Sequence, residues 1–494
     1  MGHIKTLAGQ TFIYGAGTIV PRLLNYLLLT PFYTRIFNTA QYGKITELYA
    51  YVAFLLVILT FGMETTFFRY FQKKGRARLQ IYNVTLSCIL LSTVLFIILL
   101  FSFLNPINNY LGNTYSNDIF IFIAFIIACD VISAIPFAKL RSENKAFLFS
   151  IVKIVSVSIN IGFNFLLLVV LPGFITKGYF SGFSDYFSAQ NIYKFAFISN
   201  LLGSLFSLIF VFKVSGSFSF SLNRRILNTL LAYSWPILII GICGMINEVA
   251  DKIMLRWLLI GKSNLMEQIG IYGANYKLAV LMTIFIQMFR YAADPFFFSY
   301  RDSKERMMIF GSVLKWFIIF CLTIYLGITL FIDVAKYFIG SEFHSGLKIV
   351  PIVLAANIFF GIYYNISVWF KLSHMNYIGA IIAVVGAAVT IIANWILVPE
   401  MGYLGAAWAT FICFLVMMLL SYFLSYHFFH IKYPLKSFMM YFIIALFLYI
   451  LSYYCKFGIL FNLIIFISFV IFIIIKEGLF TEYILKYGKT KNKN

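Results

Sequence analysis

Apolar runs of roughly 20 residues recur from one end of the chain to the other, each closed by a short polar or charged break. An α-helix needs a run of that length to cross about 30 Å of hydrocarbon. Windows of about 19 residues place spans near 9–31, 45–66, 80–103, 118–139, 148–171 and 193–213. After a break at Val214 to Arg225, further spans fall near 227–248, 268–291, 311–334, 348–370, 376–398 and 404–427. Two more, near 437–455 and 457–475, precede a basic tail. The runs are continuously apolar and do not alternate with period two, which excludes a closed barrel. The pattern predicts an all-α polytopic protein of about 14 transmembrane helices. It divides into a six-helix unit at 1–213, a linker at 214–225, a second six-helix unit at 226–430, two additional helices at 431–476 and a basic tail at 477–494.

Composition agrees with the pattern. The 494 residues are 62% hydrophobic and 11% charged, too little polar surface for a soluble protein of this length. The formal net charge of +21 raises nucleic acid as a partner, but the basic residues sit in short loops and form no extended patch, so none is expected. Topology explains them, because short cytoplasmic loops are enriched in Lys and Arg. With the N-terminus inside, the cytoplasmic loops hold Arg69, Lys73, Lys74, Arg76 and Arg78, then Lys139, Arg141 and Lys145, then Arg224 and Arg225, then Arg301, Lys304 and Arg306, then Lys432 and Lys436, and the tail from Lys486 to Lys493. Both termini are thus expected in the cytoplasm. Lys252, Arg256 and Lys262, on the outer side, go against the trend. No loop is long enough for a soluble domain; the longest, Leu171 to Ile192, is Gly- and aromatic-rich and suits a periplasmic cap. The six cysteines are scattered singly with no metal spacing, and the first run lacks the cleavage site of a removable signal peptide.

The two halves open alike. Phe32-Tyr33-Thr34-Arg35-Ile36-Phe37 followed by Gln41-Tyr42-Gly43 has a counterpart in Ile253-Met254-Leu255-Arg256-Trp257-Leu258 followed by Ile271-Tyr272-Gly273. An arginine after the first helix and a Tyr-Gly at the second point to an internal repeat of the kind that builds many transporters. Motifs for other chemistry fail. Gly261-Lys262-Ser263 lacks the earlier glycine of a phosphate loop, Arg256 standing in its place. No Asp-x-Asp or His-Glu-x-x-His occurs, so neither a metal nor a cofactor is expected and the chain reads as a transporter rather than an enzyme.

The charges inside spans then carry the interest, since each costs roughly 2.5–3.5 kcal/mol at the bilayer centre. At about 100° per residue, Thr11, Gly15, Thr18, Arg22 and Asn25 fall along one side of the first span. An apolar helix with one polar stripe lines a polar or water-filled interior. On the seventh span Gly244, Asn247 and Asp251 share a face with Tyr233, with Asp251 close enough to the end to lie in the loop. On the eighth, Lys277 shares a phase with Gln287 and Tyr291, whereas Arg290 points elsewhere and suits an anchor at the cytoplasmic end. Asp130 on the fourth span and Lys153 on the fifth, where Ser156, Asn160 and Asn164 form another stripe, are expected to pair structurally; ion coupling is the sharper alternative for them and for Glu64. Pro21, Pro136, Pro236 and Pro295 are candidate kinks.

The run Phe32 to Phe37 with Gln41-Tyr42-Gly43 resembles the opening of the polysaccharide-biosynthesis (O-antigen type) flippases of the multidrug/oligosaccharidyl-lipid/polysaccharide exporter superfamily. Tyr272-Gly273-Ala274-Asn275-Tyr276-Lys277, continuing through Phe289-Arg290-Tyr291-Ala292 to Asp294-Pro295-Phe296, is similar to the family's eighth helix. The resemblance implies two six-helix lobes around a central cavity lined mainly by spans one, two, seven and eight. It implies translocation of undecaprenyl-pyrophosphate-linked oligosaccharide from the cytoplasmic to the periplasmic leaflet of the bacterial inner membrane by alternating access. Arg22, Thr18, Asn25, Lys277, Asn247, Asp251 and Arg290 would then meet substrate, and cationic groups suit a pyrophosphate. Few intramembrane arginines argue against lipid II itself, since flippases of the peptidoglycan precursor tend to be richer in them. Membrane lipids, an H+ or Na+ coupling ion, a polysaccharide polymerase and other pathway proteins are the partners this implies. A cation-coupled multidrug exporter with Asp130 or Glu64 as coupling carboxylate remains the alternative, and a membrane-bound sugar polymerase or transferase the third.

Overall fold

The computed structural model describes residues 15, 17–71, 76–175, 177, 179, 187–188, 191–300, 306–373, 375–429, 433, 435–455 and 457–478. Thr11, the loop cations Lys73, Lys74, Arg301, Lys304 and Lys432, much of the loop after Leu171, and the tail lysines from Lys486 lie outside the described residues. Among the described residues the fold is helical throughout, with no strand. In chain order α1 covers 17–36, α2 Thr39–Tyr70, α3 Ala77–Ser102, α4 Asn117–Ser142, α5 Ala146–Ile175, α6 Lys194–Ser215 and α7 Arg224–Leu258. The bent pair Leu265–Leu278 and Val280–Ala293 makes α8, followed by α9 Met307–Thr329, α10 Ser341–Phe370, α11 Tyr377–Met401, α12 Tyr403–Phe428, α13 Lys436–Cys455 and α14 Ile459–Lys476. Twelve of these are each long and apolar enough to cross a membrane, and α8 makes thirteen if its two segments count as one span. The beginning of α1 falls outside the described residues.

Local chemistry accounts for the irregular points. Gln41 belongs to a capping box that starts α2: the Asn38 side chain accepts the Gln41 N–H at 2.8 Å, and the Gln41 side chain accepts the Asn38 N–H at 3.1 Å. Immediately after Arg22, α1 passes through a π-helical turn at Asn25–Leu29, a local irregularity that often accompanies functional sites. The two segments of α8 meet at 49° around Ala279. No proline stands at that break. Of the candidate kinks, Pro136 and Pro236 lie inside the helices α4 and α7.

Helix packing sorts into two bundles. In the first half α4 packs on α3 and α6, and α6 on α5; in the second α7 packs on α11, and α12 on α10 and α11. Between the halves α2 lies against both α7 and α8. The pair α13–α14 attaches to the second half through α9. Asn462 donates to the Leu330 carbonyl at 2.8 Å, and Glu477 just beyond α14 pairs with Lys315 and accepts the Tyr441 hydroxyl at 2.6 Å.

Candidate functional site

Four cations and a carboxylate carried by α1, α5, α7 and α8 occupy the interior. Arg22 is accessible and donates through Nη1 to Gln287 Oε1 on α8. Arg290, one turn further along α8, lays its guanidinium 3.8 Å from the ring centre of Tyr364 on α10. Arg290 also faces Glu248 on α7. Lys277 is accessible to water yet surrounded by protein, and it forms no hydrogen bond or ion pair among the described residues. Lys153 faces Asp130 and Arg22 and rests 4.0 Å over the Phe137 ring. A cation that keeps access to water while protein encloses it lines an internal polar space, since a cation turned to lipid would have no partner.

Glu248 on α7 is the charged member that periodicity reasoning missed. It is accessible yet enclosed, and Arg290, Arg22 and Lys252 are the charges that act on it. The stripe followed in the sequence was Gly244, Asn247 and Asp251, which lies one position, about 100° of helix rotation, away from the line Gly244–Glu248–Lys252. The signal was present in the spacing of Gly244 and Glu248. At Gly244 an added Cβ would meet nothing within 4 Å, so this side of α7 borders open space.

Asn247 and Asp251 turn the other way and are corrected accordingly. Asn247 is buried between α7, α11 and α12, donating to the Ala383 carbonyl at 3.3 Å and accepting from the Thr390 hydroxyl at 3.3 Å. Asp251 lies inside α7 and not in a loop; it is buried, accepts the Tyr272 hydroxyl at 2.5 Å and pairs with Lys252 at 2.9 Å. Thr18 is half-buried on α1, and the Asn25 side-chain oxygen Oδ1 is buried at the π turn without a hydrogen-bond donor. The phase relation of Lys277 to Gln287 also fails, because the bend of α8 separates them. Asp130 and Lys153 face each other but form no ion pair within 4.0 Å: the ammonium sits on the Phe137 ring, and Ser204 serves Asp130. Glu64 pairs with Arg141 at 2.7 Å, with both side chains nearly half exposed. Among the described residues no cluster of three or more His, Cys, Asp or Glu could hold a metal.

At one end the two halves are sealed by backbone. A Cβ on Gly43 would stand 1.9 Å from the Met266 carbonyl oxygen, and one on Gly270 would stand 1.9 Å from that of Thr39. Only glycine allows α2 and α8 to approach this closely. The Tyr-Gly pairs noticed in both halves thus lie in one seam, and Gly273 abuts the Thr46 hydroxyl. The paired arginines behave reciprocally. Arg35 of the first half donates to the Tyr337 carbonyl of the second at 2.7 Å, and Arg256 of the second donates to the Leu111 carbonyl of the first. Arg256 also reaches the Thr114 hydroxyl at 2.9 Å and pairs at 3.5 Å with Glu47, whose carboxylate accepts the Tyr115 hydroxyl at 2.5 Å. The cations that broke the loop-charge trend all have partners: Arg256 is buried in the seam, Lys252 is paired, and Lys262 donates to the Pro399 carbonyl at 3.0 Å. Replacing Gly270 by valine should force the seam apart; cross-linking of cysteines placed at Thr39 and Met266 would fall several-fold, whereas unchanged cross-linking would show that the seam absorbs the side chain.

Three open grooves lie elsewhere. One of about 520 Å³ between α8 and α9 is lined by Phe285, Phe289, Trp316 and Phe320, and one of about 400 Å³ lies between α9, α10, α12 and α13. The third, about 550 Å³, holds Arg35, Asn38, Gln41 and Glu342 at the sealed end. None of these three includes the interior cations. The first two are lined mostly by apolar side chains, as surfaces facing lipid tails are, with Lys348, Tyr325 and Tyr449 the polar groups at the second.

The sequence profile of the polysaccharide biosynthesis protein family matches residues 7–301, more than half of the chain. The chain belongs to that family. Its fold is that of known transporters and covers nearly the whole length. A solved structure of the lipid II flippase MurJ in an inward closed conformation superposes with a TM-score of 0.71 at 18% identity, over 95% of this chain and 100% of that one. An inward-facing multidrug resistance MATE family transporter of the MOP superfamily gives 0.63 at 12% identity, over 83% and 94%. A Vibrio cholerae MATE transporter gives 0.55 at 11%, over 86% and 96%. No curated protein matches the chain. This polysaccharide biosynthesis protein is therefore a multi-pass membrane protein with the fold shared by MurJ and the MATE transporters.

Proposed function

We propose that this polysaccharide biosynthesis protein is a flippase that carries a lipid-linked oligosaccharide of the undecaprenyl-pyrophosphate type from the cytoplasmic to the periplasmic leaflet of the inner membrane, for assembly of a surface polysaccharide such as O-antigen. It acts as a transporter and not as an enzyme. The observation that carries the reading is the set of cations Arg22, Lys153, Lys277 and Arg290: Lys153 and Lys277 are surrounded by protein, Arg22 faces Lys153, and Arg22 and Arg290 both face Glu248. Away from bulk water each cation attracts a phosphate oxygen far more strongly than at the surface. Arg22 and Arg290 are already oriented by uncharged partners, Gln287 and the Tyr364 ring, so donors remain for a ligand.

In this reading the units 1–213 and 226–430 are two lobes that rock about the seam of α2, α7 and α8. The distribution of loop cations supports a periplasmic sealed end and cytoplasmic termini. The cation-coupled multidrug exporter is less well supported: its candidate carboxylate Glu64 is paired with Arg141 near the surface, and Asp130 stands opposite Lys153. In cells depleted of the protein, lipid-linked oligosaccharide should accumulate on the cytoplasmic leaflet, protected from glycosidase added outside spheroplasts. Unchanged access of the enzyme to that pool would reject the flippase reading.

A further inference from the structure

Glu248 has no place in a simple account of a phosphate site, because a carboxylate repels the ligand that the surrounding cations attract. Its position is nevertheless well defined. It projects from α7 one turn beyond Gly244, toward the open side of the helix, while its neighbours Asn247 and Asp251 are tied into the second half. The charged and titratable groups that face it come from each element around it: Arg22 from α1, Arg290 and Tyr276 from α8, and Lys252 from its own helix.

None of these cations closes on it. Among the described residues Glu248 takes part in no ion pair within 4.0 Å; Lys252 pairs with Asp251, Arg22 donates to Gln287, and Arg290 rests on Tyr364. The carboxylate therefore balances the field of the cluster without occupying its donors. A transporter gains from such an arrangement, since its site must bind well enough to load and weakly enough to release.

We propose that Glu248 is the resident counter-anion of the cationic space, standing beside the place between Arg22 and Arg290 that the substrate's pyrophosphate takes, so that its charge sets the affinity and permits release. The inference rests on the proposed reading of this space as a phosphate site and adds the residue that tunes it. Removing the charge should strengthen binding of an anion in proportion to the anion's valence. It should leave a neutral ligand unaffected. A merely structural Glu248 would change stability without that valence dependence.

The test uses the full-length protein in lipid nanodiscs, with inorganic pyrophosphate, orthophosphate and a neutral disaccharide as probes. Glu248→Gln should bind pyrophosphate about 10-fold more tightly, a gain of about 1.4 kcal/mol, with a smaller gain for orthophosphate and none for the disaccharide. Glu248→Asp, which withdraws the carboxylate by one methylene, should shift in the same direction by less; it carries the test if the glutamine variant does not fold. Adding Arg290→Gln to Glu248→Gln should return the affinity toward that of the unmodified protein. If the parent and Glu248→Gln bind pyrophosphate equally, or the variant binds more weakly, the counter-anion role is wrong while the phosphate site stands. If neither binds any phosphate probe, the phosphate site itself is wrong.

Discussion

Replacing Arg256 by alanine is expected to destabilise the sealed arrangement by about 3–5 kcal/mol, the usual consequence of removing one member of a buried ion pair. Glu47 is fully buried, and its second carboxylate oxygen has no hydrogen-bond partner. With Arg256 gone it would keep the Tyr115 hydroxyl alone, and the Leu111 carbonyl and Thr114 hydroxyl would lose their donor as well. A charge left without compensation in that position can be relieved by parting the lobes so that water reaches Glu47. Spin labels on the first and second halves flanking the seam should report a longer distance population in Arg256→Ala. The double variant Glu47→Gln, Arg256→Met should recover much of the lost stability, because an apolar or neutral replacement of both partners avoids the stranded charge. Identical distances and melting curves for Arg256→Ala and the parent would show that the pair does not hold the seam.

The second large effect concerns transport. Hydrogen bonds to charged groups contribute about 1.5–3 kcal/mol each, so losing Arg22 and Lys277 together should reduce translocation by about two orders of magnitude or more. Folding should survive, since Arg22 meets Gln287 at an accessible position and Lys277 has no partner among the described residues to strand. Turnover measured against protein-normalised thermal melting separates the two. A parallel fall of both would assign these side chains to the scaffold, and full turnover in the double variant would remove them from the substrate path.

The spans were legible because a helix that crosses hydrocarbon leaves an apolar run of characteristic length, and α3 through α7 and α9 through α14 follow those runs closely. The Tyr-Gly and arginine echoes were legible as well, since the constraint that keeps Gly43 and Gly273 small acts on the residues themselves. What they do could not be read from one strand of text. The partners of Arg35 and Arg256 are carbonyls in the opposite half, at Tyr337 and Leu111, and no local spacing encodes them. Helical phase was the weaker guide. It assumes an unbroken regular helix, and α8 bends between Lys277 and Gln287 while α1 widens into a π turn after Arg22. On α7 a polar stripe was present on two adjacent lines; the one with Asn247 and Asp251 serves packing, and the one with Glu248 borders open space. Polarity alone does not tell a satisfied interior residue from one that awaits a ligand. Burial and partners do.

If the interior cations carry a lipid-linked pyrophosphate across the membrane, transport must depend on the charge of the lipid headgroup. Purified protein in liposomes, supplied with an oligosaccharide on a polyprenyl pyrophosphate and with the same glycan on an uncharged polyprenyl ether, tests it most directly. Translocation of the pyrophosphate-linked glycan, dependent on Arg22, with little movement of the neutral analogue is the predicted result. Equal movement of both lipids, or movement of neither under any imposed ion gradient or membrane potential, would contradict it.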